Sequence, residues 1–112
     1  MITDKLRQYL ADEIKDKINS GQIGYGGNST DPTSTTLDVP SGVSVTINEQ
    51  STATNVVEIK LSIAGSDIQG KIIREMGLFD SSNNMLIRQN FDGVGPFSTT
   101  ETLEIFYTVE VE

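Results

Sequence analysis

Carboxylates are the groups most able to suggest chemistry in this chain: 112 residues hold 16 Asp and Glu against 8 Lys and Arg, with no His and no Cys. Two placements invite a closer reading. Asp80, Ser82 and Asn84 alternate as the first ligands of a calcium loop do, but Met85 and Phe91 stand where such a loop needs a glycine and a glutamate. That segment reads as a plain hairpin turn, rich in residues that tolerate turn geometry. Glu101, Glu104, Glu110 and Glu112 could supply the acid pair of a glycoside hydrolase, whose carboxyls stand roughly 5–10 Å apart in a cleft. Glu104, Glu110 and Glu112 instead share the face opposite the alternating row Leu103, Ile105, Tyr107, Val109 and Val111, which is the solvated side of a strand. Phe106 stands on that face too, as either a second-layer core residue or a contact between subunits. No catalytic residue, cofactor site or metal site is expected.

The absences narrow the classes further. Without Cys there is no thiolate nucleophile and no Cys-ligated metal; without His there is no Ser-His-Asp triad and no imidazole base. A net charge of −8 opposes nucleic-acid phosphates. No stretch approaches the roughly 18 apolar residues of a membrane span, and the N-terminus lacks the apolar core of a signal peptide. The expectation is a protein without nucleic-acid or membrane partners, inside a cell or in a particle assembled there. Charge is uneven: residues 1–17 are neutral, with Lys5, Arg7, Lys15 and Lys17 against Asp4, Asp12, Glu13 and Asp16, so the whole excess of acid lies beyond them. An acidic body with a balanced N-terminal segment suits a protein that stays soluble until it docks.

The elements that must position any surface follow from periodicity. Residues 3–19 read as a helix, N-capped by Thr3 or Asp4 and ended by Gly21 as a C′ glycine. Ile2, Leu6, Leu10, Ile14 and Ile18 recur every four residues, with Tyr9 and Ala11 beside them. A four-residue step drifts about 40° per repeat against a 3.6-residue turn, so the stripe winds round the helix. It could face its own sheet at one end and a neighbouring subunit at the other. Residues 21–41 read as a long Gly/Thr-rich connecting loop anchored by Tyr25 and Leu37, and loops of that length are usually functional or held by partners. Being too polar to pack alone, this loop is expected to gain order against a neighbouring subunit.

Residues 42–112 read as strands. Val43, Val45 and Ile47 alternate with polar residues; residues 50–55 form a polar turn; Val57, Ile59, Leu61 and Ile63 return as the partner. Residues 72–79 are apolar on both faces except for Arg74 and Glu75, as in a strand between two packed layers. Being adjacent on a strand, Arg74 and Glu75 point to opposite faces and cannot pair with each other; each is expected to meet a charge on another strand or subunit rather than a substrate. Residues 85–91 and 103–111 complete five antiparallel strands. The expected fold is mainly β: one domain over residues 1–112, with an N-terminal helical segment (1–20), the loop (21–41) and a small antiparallel β-sandwich (42–112).

Two stretches carry a resemblance. Residues 24–37 run Gly-Tyr-Gly-Gly-Asn-Ser-Thr-Asp-Pro-Thr-Ser-Thr-Thr-Leu; residues 73–80 run Ile-Arg-Glu-Met-Gly-Leu-Phe-Asp, followed by Ser-Ser-Asn-Asn-Met-Leu-Ile-Arg-Gln-Asn-Phe91. In that order and spacing they resemble the small tail-fibre and tail-collar-like structural proteins of tailed phages and related archaeal viruses. The closing strand is similar too, and together these stretches span about half the chain. Two departures stand out: the chain ends at Glu112 without a fibre shaft or receptor-binding tip, and residues 92–100 lack a lysine near Thr99.

The resemblance implies a virion structural protein without catalysis, made in the host cytoplasm and resident in the particle. It would be an attachment or connector module of tail, baseplate or neck, homo-oligomeric and bound to other virion structural proteins. The alternatives are a capsid decoration protein, or a module that binds a surface or carbohydrate. The expected interface residues are Leu6, Tyr9, Leu10, Ile14, Ile18, Tyr25, Leu37, Arg74, Glu75 and Phe106.

Overall fold

The computed structural model describes residues 1–112, the side chain of Glu49 excepted. One helix and six strands form a small antiparallel β-sandwich with an N-terminal helix: α1 (Asp4–Lys17), β1 (Ser20–Gly24), β2 (Thr46–Ala53), β3 (Val56–Ala64), β4 (Ile73–Phe79), β5 (Met85–Val94) and β6 (Thr102–Glu110). Sheet one has the order β1-β4-β5 and sheet two the order β2-β3-β6. Met76 and Leu78 of sheet one meet Val57, Ile59, Leu61, Ile63 and Leu103 of sheet two in one core.

Thr3 caps α1 as expected, its hydroxyl accepting from the Leu6 amide at 3.4 Å. The helix does not end on glycine: Ile18 is the C-cap, in extended conformation, and the chain passes directly into β1. Gly21 serves β1 instead, because a Cβ there would lie 2.9 Å from Leu61 Cδ2 of the facing sheet. A four-residue stripe cannot face one sheet along its whole length, and the burial follows the drift. Ile18 and Ala11 are buried, Ile14 packs partly on the core, and Leu10, Leu6 and Ile2 are exposed.

Two further differences concern strands. The first residues of the expected loop, 21–24, belong to β1, which pairs with β4 (Ile23 opposite Met76) and so supplies a sixth strand. A glycine-flanked five-residue strand has too few side chains to show a period of two. The polar residues 50–53 are not a turn but the end of β2, paired with β3 from Gln50–Ile59 to Ala53–Val56; an exposed strand face accepts polar side chains freely.

β4 is the strand between two layers, as its apolar run implies, but the second layer is not a sheet. Met76 and Leu78 face sheet two, while Glu75, Gly77 and Phe79 lie on the opposite side, under residues 25–41. A Cβ at Gly77 would meet Phe79 Cε1 at 3.0 Å and Leu37 Cδ2 at 3.3 Å. Gly77→Val should therefore overpack the contact between β4 and the loop, at a cost of about 1–3 kcal/mol. A urea melt would show the lowered midpoint, and an unchanged midpoint would mean that Leu37 does not seat there.

Candidate functional site

The loop over sheet one is held by one buried carboxylate. Glu75 is fully inaccessible, yet every group around it is a donor: the amides of Gly26 (2.7 Å), Asp38 (2.7 Å) and Val39 (2.9 Å), and Arg88 Nη2 at 3.0 Å. A buried carboxylate is tolerable only with such full pairing. Arg88, its neighbour from β5, forks outward through the loop. It donates to the carbonyls of Ser29 (3.2 Å) and Thr36 (3.0 Å) and pairs with Asp38 at 2.9 Å. Asp38 in turn accepts from the amides of Asn28 and Ser29, and Asn90 Nδ2 donates to the Ser29 carbonyl. Both ends of a polar segment thus converge on two strand residues.

The glycines of this segment make that approach possible. A Cβ at Gly24 or Gly26 would come within 2.8 Å of the Glu75 carboxylate, and a Cβ at Gly27, whose φ is +76°, would run into the Arg74 carbonyl. Among the described residues no buried side-chain polar atom lacks a partner, so the cluster spends its hydrogen bonds on the loop itself. Its chemistry is to fix a surface.

Acid should loosen that surface. The amides of Ser29 and Asn28, with Arg88 beside them, hold the Asp38 carboxyl below the usual carboxylate range. Asp31, Asp80 and Glu101 are likewise lowered, by hydrogen bonds from Thr33, Asn84 and Ser98 respectively. A folded pKa below the unfolded one contributes stability above the unfolded value, near pH 4, and loses it as pH falls through the folded value. Thermal melts should hold steady from pH 7 to 5 and fall below about pH 4; a midpoint that rises on acidification would contradict this assignment.

The expected interface residues divide sharply. Ile18, Leu37 and Glu75 are buried in their own chain and offer no surface to a partner, so the interface expectation fails for them. Glu75 does meet a charge on another strand, Arg88. Arg74 donates to the Asp92 carbonyl at 2.9 Å within sheet one, and Tyr25 is half-buried beneath Lys71. The loop needs no neighbouring subunit for its order, since its own β4 and β5 supply it.

Leu6, Tyr9, Leu10 and Phe106 remain open, Tyr9 at 59% and Phe106 at 68% exposure. Phe106 is therefore not a second-layer core residue; it stands opposite Lys60 on β3, whose ammonium lies 5.9 Å from its ring and 3.5 Å from Glu104. Asp80 closes the β4–β5 turn by accepting from the Ser82 and Asn84 amides and Asn84 Nδ2, with Asn83 at φ 62°.

Sequence reading missed Arg88 and Asp38, although an arginine in a predicted strand of an acidic chain is a usable signal for a buried partner. It also missed a groove of about 480 Å³ between α1, β5 and β6, with Leu10, Ile14, Leu86, Ile87, Val109 and Val111 on its walls. Among the described residues no helix is long and apolar enough to cross a membrane. A scan against family models and a search of curated proteins found no match to this chain.

Proposed function

We propose that this chain is a non-catalytic structural module of a virus particle of the tailed-phage type, an attachment or connector piece of tail, baseplate or neck in a symmetric assembly. The observation that carries the reading is the outward apolar ridge of α1: Leu6, Tyr9 and Leu10 lie exposed on a small acidic domain, with Ile2 exposed just before the helix. Single exposed apolar side chains are ordinary, whereas a contiguous row of them marks a contact. The resemblance of residues 24–37 and 73–91 to small tail-fibre and tail-collar-like proteins supports the same reading. In it, the Glu75–Arg88 cluster presents the loop as a rigid face.

Gold-labelled antibody against this chain should mark intact particles at one discrete position. Leu10→Asp changes a residue that is 43% exposed, so the fold should survive, with a loss within about 0.5–1 kcal/mol. Uptake into particles should nevertheless fall at least tenfold. Normal uptake of Leu10→Asp would remove the helix from the interface, and particles without label would remove the function.

Phe106 favours a second reading, a surface- or carbohydrate-binding module, because an exposed ring beside Lys60 and Glu104 can stack on a sugar and hydrogen-bond its hydroxyls. Glycan binding lost in Phe106→Ala would favour that reading over the first.

A further inference from the structure

Two three-stranded sheets have four edges, and three of these are covered or broken. β1 is bridged along its outer side at Gly21–Val45 and Gly24–Pro40. β2 slips register between Ile47 and Glu49, and the Gln50 side chain there donates to the Lys15 and Ile18 carbonyls at the end of α1. β5 slips against β4 near both its ends, and Gly93 bends its tail at φ +129°. Bulges, covers and kinks of this kind keep a further strand from adding to a sheet.

β6 has none of them. Its nine residues, Thr102–Glu110, pair with β3 without a shift and include no Pro, Gly or Lys. Among the described residues no backbone group outside β3 bonds to them. The ladder also fixes which groups are free. Just beyond its two ends the Gly65 amide donates to the Glu101 carbonyl (2.7 Å) and the Val111 amide to the Asn55 carbonyl (2.8 Å). Antiparallel bonds alternate along a strand, so the odd-numbered residues of β6 bond β3. Thr102, Glu104, Phe106, Thr108 and Glu110 aim their amides and carbonyls outward.

We infer that this edge pairs with the same edge of a second copy, antiparallel about a two-fold axis at Phe106, so that sheet two runs on through both chains. The strand's match to itself selects a second copy. Phe106 is the middle residue of Thr102–Glu110, so the register centred on it is the one that pairs all nine residues. In that register Glu104 faces Thr108 of the second copy and Glu110 faces its Thr102, so no two carboxylates oppose each other. A shift of two residues one way sets Glu104 against Glu110, a destabilising like-charge pair. The same shift the other way separates the two Phe106 rings and sets each against a Glu104 carboxylate. A shift of one residue would turn the apolar face outward.

Both faces of the joined sheet gain by this pairing. On the inner face Ile105 meets Tyr107 across the axis and Leu103 meets Val109, so side chains now only partly buried acquire an apolar neighbour. On the outer face the two exposed Phe106 rings meet at the axis. Lys60 of each copy, 3.5 Å from Glu104 and 5.9 Å from the Phe106 ring, balances the carboxylate nearest that axis. Copies carrying −8 repel at long range, but salt at physiological strength screens exposed charges beyond about 8 Å. The contact uses neither α1 nor the loop, so it goes beyond the proposed function and stands or falls separately from it.

The chain has no Cys, so introduced thiols report the register without interference. Glu104→Cys chains and longer-tagged Thr108→Cys chains, mixed under mild oxidation, should give a mixed disulfide at least fivefold more abundant than the self-disulfide of either. These two positions face each other within disulfide reach, and neither faces itself. By light scattering the wild-type chain should dimerise. Thr108→Pro deletes one outward amide that water solvates in the single chain, and should weaken dimerisation at least tenfold while far-UV circular dichroism keeps its strands. Leu6→Asp, on the exposed side of α1, should leave the dimer intact. Single chains at every concentration, self-disulfides as abundant as the mixed one, or a folded Thr108→Pro chain that dimerises as tightly as wild type overturns the inference. Single chains that bind a glycan through Phe106 overturn it too. Should Thr108→Pro lose its strands, the cysteine pair still decides.

Discussion

Glu75→Ala is expected to destabilise the domain by about 3–5 kcal/mol, a large share of the 5–15 kcal/mol that holds a domain of this size. The substitution deletes the acceptor of three amides and one of the two counter-charges of Arg88 at once. Each orphaned donor costs about 1–3 kcal/mol if it stays buried. The loop should therefore lift toward water rather than leave them unpaired. Most of the core lies between the two sheets and outside residues 25–41, so the loss should appear in two stages. Protease should cut residues 25–41 at denaturant concentrations where far-UV circular dichroism still reports strands. Loss of both signals at one midpoint would show that the loop and sandwich fold as one unit.

Arg88→Met is the second large effect, expected at about 3–4 kcal/mol, because it leaves the Glu75 charge buried with amides alone. Arg88→Lys keeps the charge but loses the planar fork that reaches Ser29, Thr36, Glu75 and Asp38 together. It should recover less than half of the loss. An apolar replacement of a buried ion pair is often neutral, yet Glu75→Leu with Arg88→Met should remain destabilised here, since the Gly26, Asp38 and Val39 amides gain no new acceptor. Chemical denaturation of Glu75→Leu, Arg88→Met and the double variant measures the coupling, expected at about 1–3 kcal/mol. A double variant as stable as wild type would mean that the amides are satisfied by water and the carboxylate is not their anchor.

The sandwich was legible where side chains alternate against one layer. Val57 to Ile63 and Leu103 to Val111 show a period of two because one face meets the core and the other meets water. β1 was not legible, since its glycines carry no pattern and its length follows from β4 opposite. The apolar run of β4 correctly announced burial on both faces, but a pattern cannot say whether the covering layer is a sheet or a loop. Glu75 inside that run was the clue. A carboxylate on a buried strand face demands donors, and the glycine-rich segment, with its accessible amides, is the part of the chain best able to supply them.

The drift of the helix stripe was legible: it required that one end leave the core, and Ile2, Leu6 and Leu10 are exposed. The groove was not, because it is built from three elements whose juxtaposition depends on which side of the sandwich stays open. The expected interface list mixed two kinds of residue for the same reason. Apolar residues in a polar loop, such as Leu37, read alike whether they seat on their own sheet or on a neighbour's.

Hydrogen exchange on the wild-type chain, followed across protein concentration, tests most directly the claim that one surface is set within the chain and the other is completed by a partner. The Gly26, Asp38 and Val39 amides should be protected even at the highest dilution, while the Glu104, Phe106 and Thr108 amides should gain protection only as copies associate. Loop amides that exchange freely until the chain is concentrated, or β6 edge amides whose protection ignores concentration altogether, would contradict the account.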